Sequence, residues 1–304
     1  MIKLFELDSQ NINTNYDNIL HGSIVERFES EFRDYVGAKY SCSLNSATSA
    51  IFLTFLNKNI TVTLPSILPP VVANAILNSG NKINFNDIVD WVGNSYLLYQ
   101  FKDYQVWDSA QRVDRNQFKN IANPQDLMIF SFYPTKPIGS CDGGIIVSDD
   151  YEKIRWFKEA SLNGMTFSEN NWERTIKFPG WKMYMNSIQA EIALTNLRTL
   201  DKRKERLKEI RECYNNSLRY FNTSDHLYRI YTHNNEDALE ELKTKNITTG
   251  IHYKALHLNK IYNLIYKKLE ESERITYQTL SIPFHHKLKD EEVKYVIEKV
   301  IELY

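Results

Sequence analysis

Leu127 to Asp149 reads LMIFSFYPTKPIGSCDGGIIVSD, and the parsing of this stretch decides the fold. Leu127-Met128-Ile129-Phe130 is an apolar run too short for an ordinary helix, bounded by Pro124 and Pro134, which predicts a buried strand. The strand ends at Ser131, and a proline-stiffened turn then presents one lysine, Lys136. Asp142-Gly143-Gly144 turns the chain back into a second apolar strand, Ile145 to Ser148. A lysine on a short, stiff loop between two buried strands is poorly hydrated. Those conditions lower an amine's pKa and let it attack a carbonyl. Most turn lysines are solvated surface charges, so the neighbours of Lys136 carry the argument.

Working outward, the bulk composition narrows the class. The 304 residues predict one large domain plus a smaller one. Lys+Arg 37 against Asp+Glu 38 leaves a net charge of −1, which points to no nucleic acid and no anionic membrane surface. No apolar run approaches the roughly 18 residues of a membrane span, and MIKLFELDSQ lacks the pattern of a secretory leader. Three cysteines, Cys42, Cys141 and Cys213, with no CxxC, predict free thiols and a cytoplasmic protein.

Along the chain, Ile24, Phe28, Phe32 and Val36 recur every fourth residue and mark a helix that Gly37 ends. A strand over Lys39–Leu44 runs into Asn45-Ser46-Ala47-Thr48-Ser49 and a helix to about Leu56. Strand, small hydroxylated residues, then helix is an anion site in waiting, because the first-turn N–H groups point outward. A strand at Ile60–Leu64, a Pro65–Pro70 linker, a helix at Val71–Asn78 and a strand at Lys82–Phe85 follow in βαβ rhythm, which predicts a largely parallel sheet. Another strand, Tyr96–Phe101, precedes Gln105-Val106-Trp107-Asp108-Ser109-Ala110-Gln111. A carboxylate such as Asp108 at a buried strand end requires a partner.

The second half begins with a helix over Asp149–Ser161 and a long polar loop, Leu162–Pro179, whose Arg174 and Lys177 are candidates for substrate anions. One helix is expected from about Ser187 towards Tyr220. A smaller α/β unit follows: strand Leu227–Thr232, helix Glu236–Lys245, strand Ile247–Tyr253, and a last helix capped by Asp290. Metal binding by His252 and His257, or by His285 and His286, is disfavoured for want of acidic or thiolate ligands at metal spacing, so no metal is expected.

Ser131-Phe132-Tyr133-Pro134-Thr135-Lys136 followed by Asp142-Gly143-Gly144 resembles the Schiff-base lysine segment of the DegT group of nucleotide-sugar aminotransferases, fold-type I pyridoxal-phosphate enzymes. Four further segments resemble that family in order. Ser46-Ala47-Thr48 matches its phosphate cup, with alanine where glycine is usual. Asp108 to Gln111 matches its Glu-Asp-Ala-Ala-Gln segment. Gly180 to Ala190 matches its Gly-Tyr-x-Tyr-x-Met segment, and His252-Tyr253 to His257-Leu258 its His-Tyr-x-x-Leu-His-Leu stretch near the sugar.

The resemblance implies a fold-type I transferase: a large domain, residues 1–200, with a mostly parallel seven-stranded sheet flanked by helices, and a small C-terminal α/β domain, residues 201–304. It implies that pyridoxal 5′-phosphate is held by Lys136 and that Asp108 contacts the ring nitrogen. Gln111 would lie near the phenolic oxygen and Pro69 against the ring face. Ser46, Ala47, Thr48 and Ser131 would hold the phosphate, and Lys182 would reach the partner subunit's phosphate in a homodimer. His252 and His257 would lie near the sugar. The implied reaction moves an amino group from glutamate or glutamine to a nucleotide-linked keto-sugar, for surface glycans or other amino sugars. The alternatives are a small phosphorylated or cyclitol ketone as acceptor, or a non-catalytic cofactor-binding protein. The chain is shorter than typical members, and the trimming is expected at the N-terminus and near Asn222–Asp225.

Overall fold

The computed structural model describes residues 1–7, 16–166, 174–262 and 266–304. Within the long polar loop, residues 167–173 lie outside them. In chain order the first elements are α1 (Ser23–Val36), β1 (Tyr40–Leu44), α2 (Ala47–Phe55), β2 (Thr61–Pro65), α3 (Pro70–Asn78), β3 (Lys82–Asn86), β4 (Tyr96–Gln100) and β5 (Gln105–Asp108). Next come α4 (Gln117–Ile121), β6 (Leu127–Ser131), β7 (Gly144–Ser148), α5 (Tyr151–Ser161), α6 (Ser187–Arg198) and α7 (Leu200–Leu218). The last are β8 (Tyr228–Tyr231), α8 (Asn235–Thr244), α9 (Glu270–Gln278), β9 (Thr279–Ile282) and α10 (Asp290–Ile301).

β6 and β7 form where the opening stretch predicts them, and every residue of both is buried. Their side chains divide between two cores. Leu127, Ile129 and Ile146 join the cluster under α2 and α3, whereas Met128, Phe130, Ile145 and Val147 join the cluster under α1 and α6. A strand covered on both faces has no polar face to show, hence the unbroken apolar runs.

The sheet itself departs from expectation. Five strands pair in the order β1-β7-β6-β5-β4, with β2 and β3 as a separate parallel pair packed beside β4. Within the five-stranded sheet β5–β6 is the parallel pair; β1–β7, β6–β7 and β4–β5 are antiparallel. The sheet is therefore mixed, not mostly parallel. The cause is the length of the connections. A parallel crossover needs a dozen or more residues, usually with a helix, but β4 and β5 are joined by residues 101–104 alone. The β6–β7 link is the lysine loop and holds no helix.

The long helix expected from Ser187 is broken at Thr199, where α6 ends and α7 begins. The hydroxyl of Thr199 donates back to the carbonyls of Thr195 and Asn196, and the guanidinium of Arg203 also takes the Asn196 carbonyl. Side-chain donors that compete for helix carbonyls bend helices. The strand expected over Ile247–Tyr253 is absent. Ile247 instead bridges Ile2, Gly250 bridges Ser281, and the second strand of the small sheet is β9. Asp290 is the first residue of α10, with Lys289 at the cap position. A third core gathers Tyr214, Tyr228, Ile230, Leu280, Val296 and their neighbours, and Ile2 packs on it.

Gly144 fixes the distance between β7 and α2. A Cβ there would stand 2.3 Å from the Ala47 nitrogen and 2.6 Å from its Cα, both backbone atoms that cannot swing aside. Gly144→Ala is expected to destabilise the fold by about 1–3 kcal/mol, as overpacked cores do, read as a lowered midpoint in chemical denaturation. An unchanged midpoint would mean that α2 retreats freely.

Candidate functional site

Three strand ends bring the predicted residues to one edge of the sheet. Leu44 of β1 and Ser131 of β6 both pair with Gly144, one on each side, and Asp108 of β5 pairs with Ile129 of β6. Ligands in α/β sheets sit beyond the carboxyl ends of strands, and Asp108 and Ser131 close the parallel pair.

The cup lies between β1 and α2. Ser46 is the N-cap of α2, its Oγ accepting the Ser49 N–H at 3.1 Å, while the Ser49 hydroxyl donates to Asn45 Oδ1 at 2.7 Å. The N–H groups of Ala47 and Thr48 lie at a helix start with no carbonyl a turn behind them, and both residues are half-buried, open on one side. Ala47 is the first residue of α2 and is not among the positive-φ positions, so alanine in place of glycine keeps the donor.

The lysine loop is clamped at its base. Phe132 donates its N–H to the Gly143 carbonyl and accepts that of Ser140, both at 2.8 Å. The Phe132 ring packs edge-on against Phe28 and Phe32 of α1. α6 fastens the far side, with Asn196 donating to the Gly139 carbonyl at 2.5 Å and Ser140 Oγ to the Gln189 carbonyl at 2.8 Å. Burial pushes the Lys136 amine down to about 8, against the pull of the Asp108 charge. Asp108 is buried, and desolvation raises its pKa, opposed by bonds from the Ala110 N–H and the Tyr96 hydroxyl and by the Lys136 charge. The two groups thus feel each other across the strand ends, each holding the other charged.

Gln111 is buried beside them, its Oε1 accepting the Gly93 N–H at 2.7 Å and its Nε2 donating to the Tyr253 hydroxyl at 3.0 Å. Tyr253 stacks on Trp91, 6.4 Å between centroids and 4° between planes. Pro69 is the N-cap of α3, after a buried linker. His257 is buried behind that linker, its Nδ1 2.6 Å from Ser66 Oγ and its Nε2 3.3 Å from Glu273 Oε1. Its place is as a tie between the linker and α9.

Lys136 also lines a cavity of about 300 Å³ with Phe5, His226 and Cys141. Phe5 stacks on His226 and meets His252 edge-on. Burial and the Lys136 charge drive His226 far down and His252 to about 4, with Arg229 adding to the latter, so both rings stay neutral at ordinary pH. His252 Nδ1 lies 2.9 Å from Ser281 Oγ.

Lys182 and Arg174 are elsewhere. With His21 and Tyr184 they line an open cleft of about 600 Å³, which neither Lys136 nor Asp108 borders. Lys177 is paired with Glu159 at 2.7 Å and so is engaged within the chain. Sequence reasoning missed Tyr96, Trp91, Phe5 and His226. Tyr96 alone was legible, because a hairpin too short for a crossover places it opposite Asp108.

These residues suit pyridoxal 5′-phosphate by their chemistry: free N–H groups and hydroxyls for a phosphate, a carboxylate for a ring N–H, and a depressed amine for an aldehyde. Solved structures of sugar aminotransferases share the fold. Helicobacter pylori PseC, "aminotransferase involved in the biosynthesis of pseudoaminic acid", superposes with a TM-score of 0.82 at 20% identity, over 100% of this chain and 99% of the other. The "putative sugar aminotransferase Spr1654 from Streptococcus pneumoniae, PLP-form" superposes at 0.77, with 20% identity over 95% and 93%. In sequence, the "UDP-4-amino-4,6-dideoxy-N-acetyl-beta-L-altrosamine transaminase" of Campylobacter jejuni is 27% identical, covering 94% of this chain and 92% of the relative.

The profile of the DegT/DnrJ/EryC1/StrS aminotransferase family matches residues 6–95 and 106–301. Its interruption falls on β4 and the hairpin link. With that coverage, the chain belongs to the DegT/DnrJ/EryC1/StrS aminotransferase family and is a pyridoxal-phosphate-dependent transaminase.

Proposed function

We propose that the enzyme moves an amino group from glutamate or glutamine to a nucleotide-linked keto-sugar, in the cytoplasm, as a homodimer with shared active sites. The observation that carries the catalytic reading is the half-buried Lys136 amine, on the loop after β6, within reach of the charge of buried Asp108 at the end of β5, beside the N-terminus of α2. The acceptor is supported by the names of the relatives, among them the Campylobacter jejuni transaminase that acts on a UDP-linked sugar. Cytoplasmic placement agrees with free cysteines. Among the described residues no helix is long and apolar enough to cross a membrane.

When bound, pyridoxal phosphate supplies an aldehyde that takes up the amino group and a ring that absorbs the electrons of the deprotonated substrate carbon. Ala47 and Thr48 N–H groups, with the hydroxyls of Ser46, Thr48 and Ser131, would hold its phosphate at the positive end of α2. Asp108 would accept the ring N–H, and Pro69 would border the ring. Lys136 would be the amine that holds the aldehyde carbon. A lysine near 8 is partly unprotonated at neutral pH, so it would serve as nucleophile and then as the group that takes the proton from the amine-bearing substrate carbon and delivers it to the carbon that carried the aldehyde. Neutral His226 and His252 add no charge to repel its protonated form. Lys182, exposed on the separate cleft, is available to a partner subunit's phosphate.

Protein loaded with pyridoxal phosphate and reduced with borohydride is expected to carry the label on Lys136, and Lys136→Ala to lose roughly 10²–10⁴-fold or more in amine transfer. A protein that takes up no cofactor, or is labelled at another lysine, would end this reading. Screening UDP-keto-sugars against cyclitol and phosphorylated ketones assigns the acceptor; turnover of only the latter would overturn the nucleotide-sugar assignment. In cofactor-free protein, reductive methylation of Lys136 should have its half-point near pH 8. Asp108→Asn should move that half-point lower still, because the lost negative charge no longer favours the ammonium form. An ordinary lysine half-point near 10.5 would contradict the burial argument. Mixing Lys136→Ala with Lys182→Ala subunits should restore transfer through hybrid dimers with one intact site; mixtures as inactive as either parent would argue for unshared sites.

A further inference from the structure

We propose that Tyr96 is a positioning residue that, through its hydrogen bond to Asp108, biases the proton shared between that carboxylate and the cofactor's ring nitrogen towards the nitrogen. The inference rests on the reading of Asp108 given above.

The geometry is direct. Tyr96 faces Asp108 in the β4–β5 register, and its hydroxyl donates to Asp108 Oδ2 at 3.0 Å, while the Ala110 N–H occupies Oδ1 at 2.9 Å. A carboxylate has about four acceptor positions, so two bonds leave room for a ring N–H. The tyrosine is 8% exposed, and its ring rests on Trp91 at 4.6 Å, whose Nε1 is itself tied to the Ile67 carbonyl at 3.0 Å. The donor is therefore held in place. It comes from β4, in residues 96–105 that the family profile does not match. This partner of the aspartate is thus carried on a part of the chain that departs from the family pattern.

The physical argument concerns where one proton sits. Burial makes the Asp108 carboxyl hold a proton more strongly, in competition with the ring nitrogen. A proton on the carboxyl leaves the ring neutral and a poor sink for electrons. A hydroxyl donor stabilises the carboxylate, lowers its proton affinity and hands the proton to the ring. Tyr96 stays a donor throughout, because burial and the adjacent Asp108 push its own ionisation well above the ordinary tyrosine value. The Ala110 N–H and the Lys136 charge act in the same direction, so the tyrosine shifts a balance and does not set it alone.

The test uses Tyr96→Phe, which removes one oxygen and keeps the ring on Trp91. Wild type and variant are loaded with pyridoxal phosphate labelled with nitrogen-15 in the ring, and the nitrogen resonance is read by NMR. The wild type should show a protonated ring nitrogen and the variant a resonance moved towards neutral pyridine. kcat should fall roughly 10–100-fold with KM little changed, the fold-change expected for one hydrogen bond to a charged group. In an Asp108→Asn background the same substitution should change neither the resonance nor kcat. An unmoved resonance in Tyr96→Phe, or an equal loss with and without the aspartate, would overturn the proposal and leave Tyr96 as packing. Wild-type protein that fails to load at Lys136 would instead remove the reading of Asp108, and the tyrosine's role with it.

Discussion

The opposite charges of half-buried Lys136 and buried Asp108 are the constraint around which the rest of this fold is arranged. Each alone would be driven towards its neutral form by burial. Together they lessen that penalty, and a buried pair repays its desolvation only when the geometry is fixed and the remaining valences are met. The protein meets them unequally. Asp108 accepts hydrogen bonds from the Tyr96 hydroxyl and the Ala110 N–H and also feels the Lys136 charge, whereas among the described residues the Lys136 amine is held up by the Asp108 charge alone. The imbalance leaves the carboxylate stable and the amine reactive, the division of labour a covalent cofactor requires.

Precision at this edge of the sheet comes mainly from α6. One face of that helix holds the lysine loop, through Asn196 on the Gly139 carbonyl and the Gln189 carbonyl on Ser140. The Gln189 side chain reaches the other way, donating to the Asn45 carbonyl at 3.3 Å just before the α2 cup. The amine and the anion-binding N–H groups are thus referred to a single rigid element. Gly144 supplies the complementary contact from the sheet side, because only a residue without Cβ lets β7 approach the first turn of α2 so closely. A helix outside and a glycine inside fix the spacing on which phosphate and aldehyde binding both depend.

Much of this was legible in the residues because it is local. β6, β7, the cup and the turn carrying Lys136 are all written in short runs of apolar, small or turn-forming residues. The failures share one cause, competition from contacts distant in sequence. The strand expected at Ile247–Tyr253 lost its place to β9 and to Ile2, which local propensity could not foresee. The helix break at Thr199 depends on which donors reach one carbonyl. The neutral wall of Phe5, His226 and His252 joins three segments spread over nearly the whole chain. The mixed sheet is different: residues 101–104 are too few for a crossover, so the antiparallel β4–β5 pairing is written in the connection length and not in the βαβ rhythm.

The β4–β5 hairpin also bears on how the molecule assembles. Tyr96 and Asp108 are 12 positions apart and joined by a tight turn, so their contact has low sequence separation. Hairpins of this kind close in about 1–10 μs, well before long-range strand pairing is complete in most sheets. The aspartate can therefore acquire its first partner while the chain is still largely open, before the loop after β6 brings Lys136 to the same edge. A buried charge is sheltered by its nearest neighbours first, and the nascent chain is spared an unpaired carboxylate at the moment of collapse.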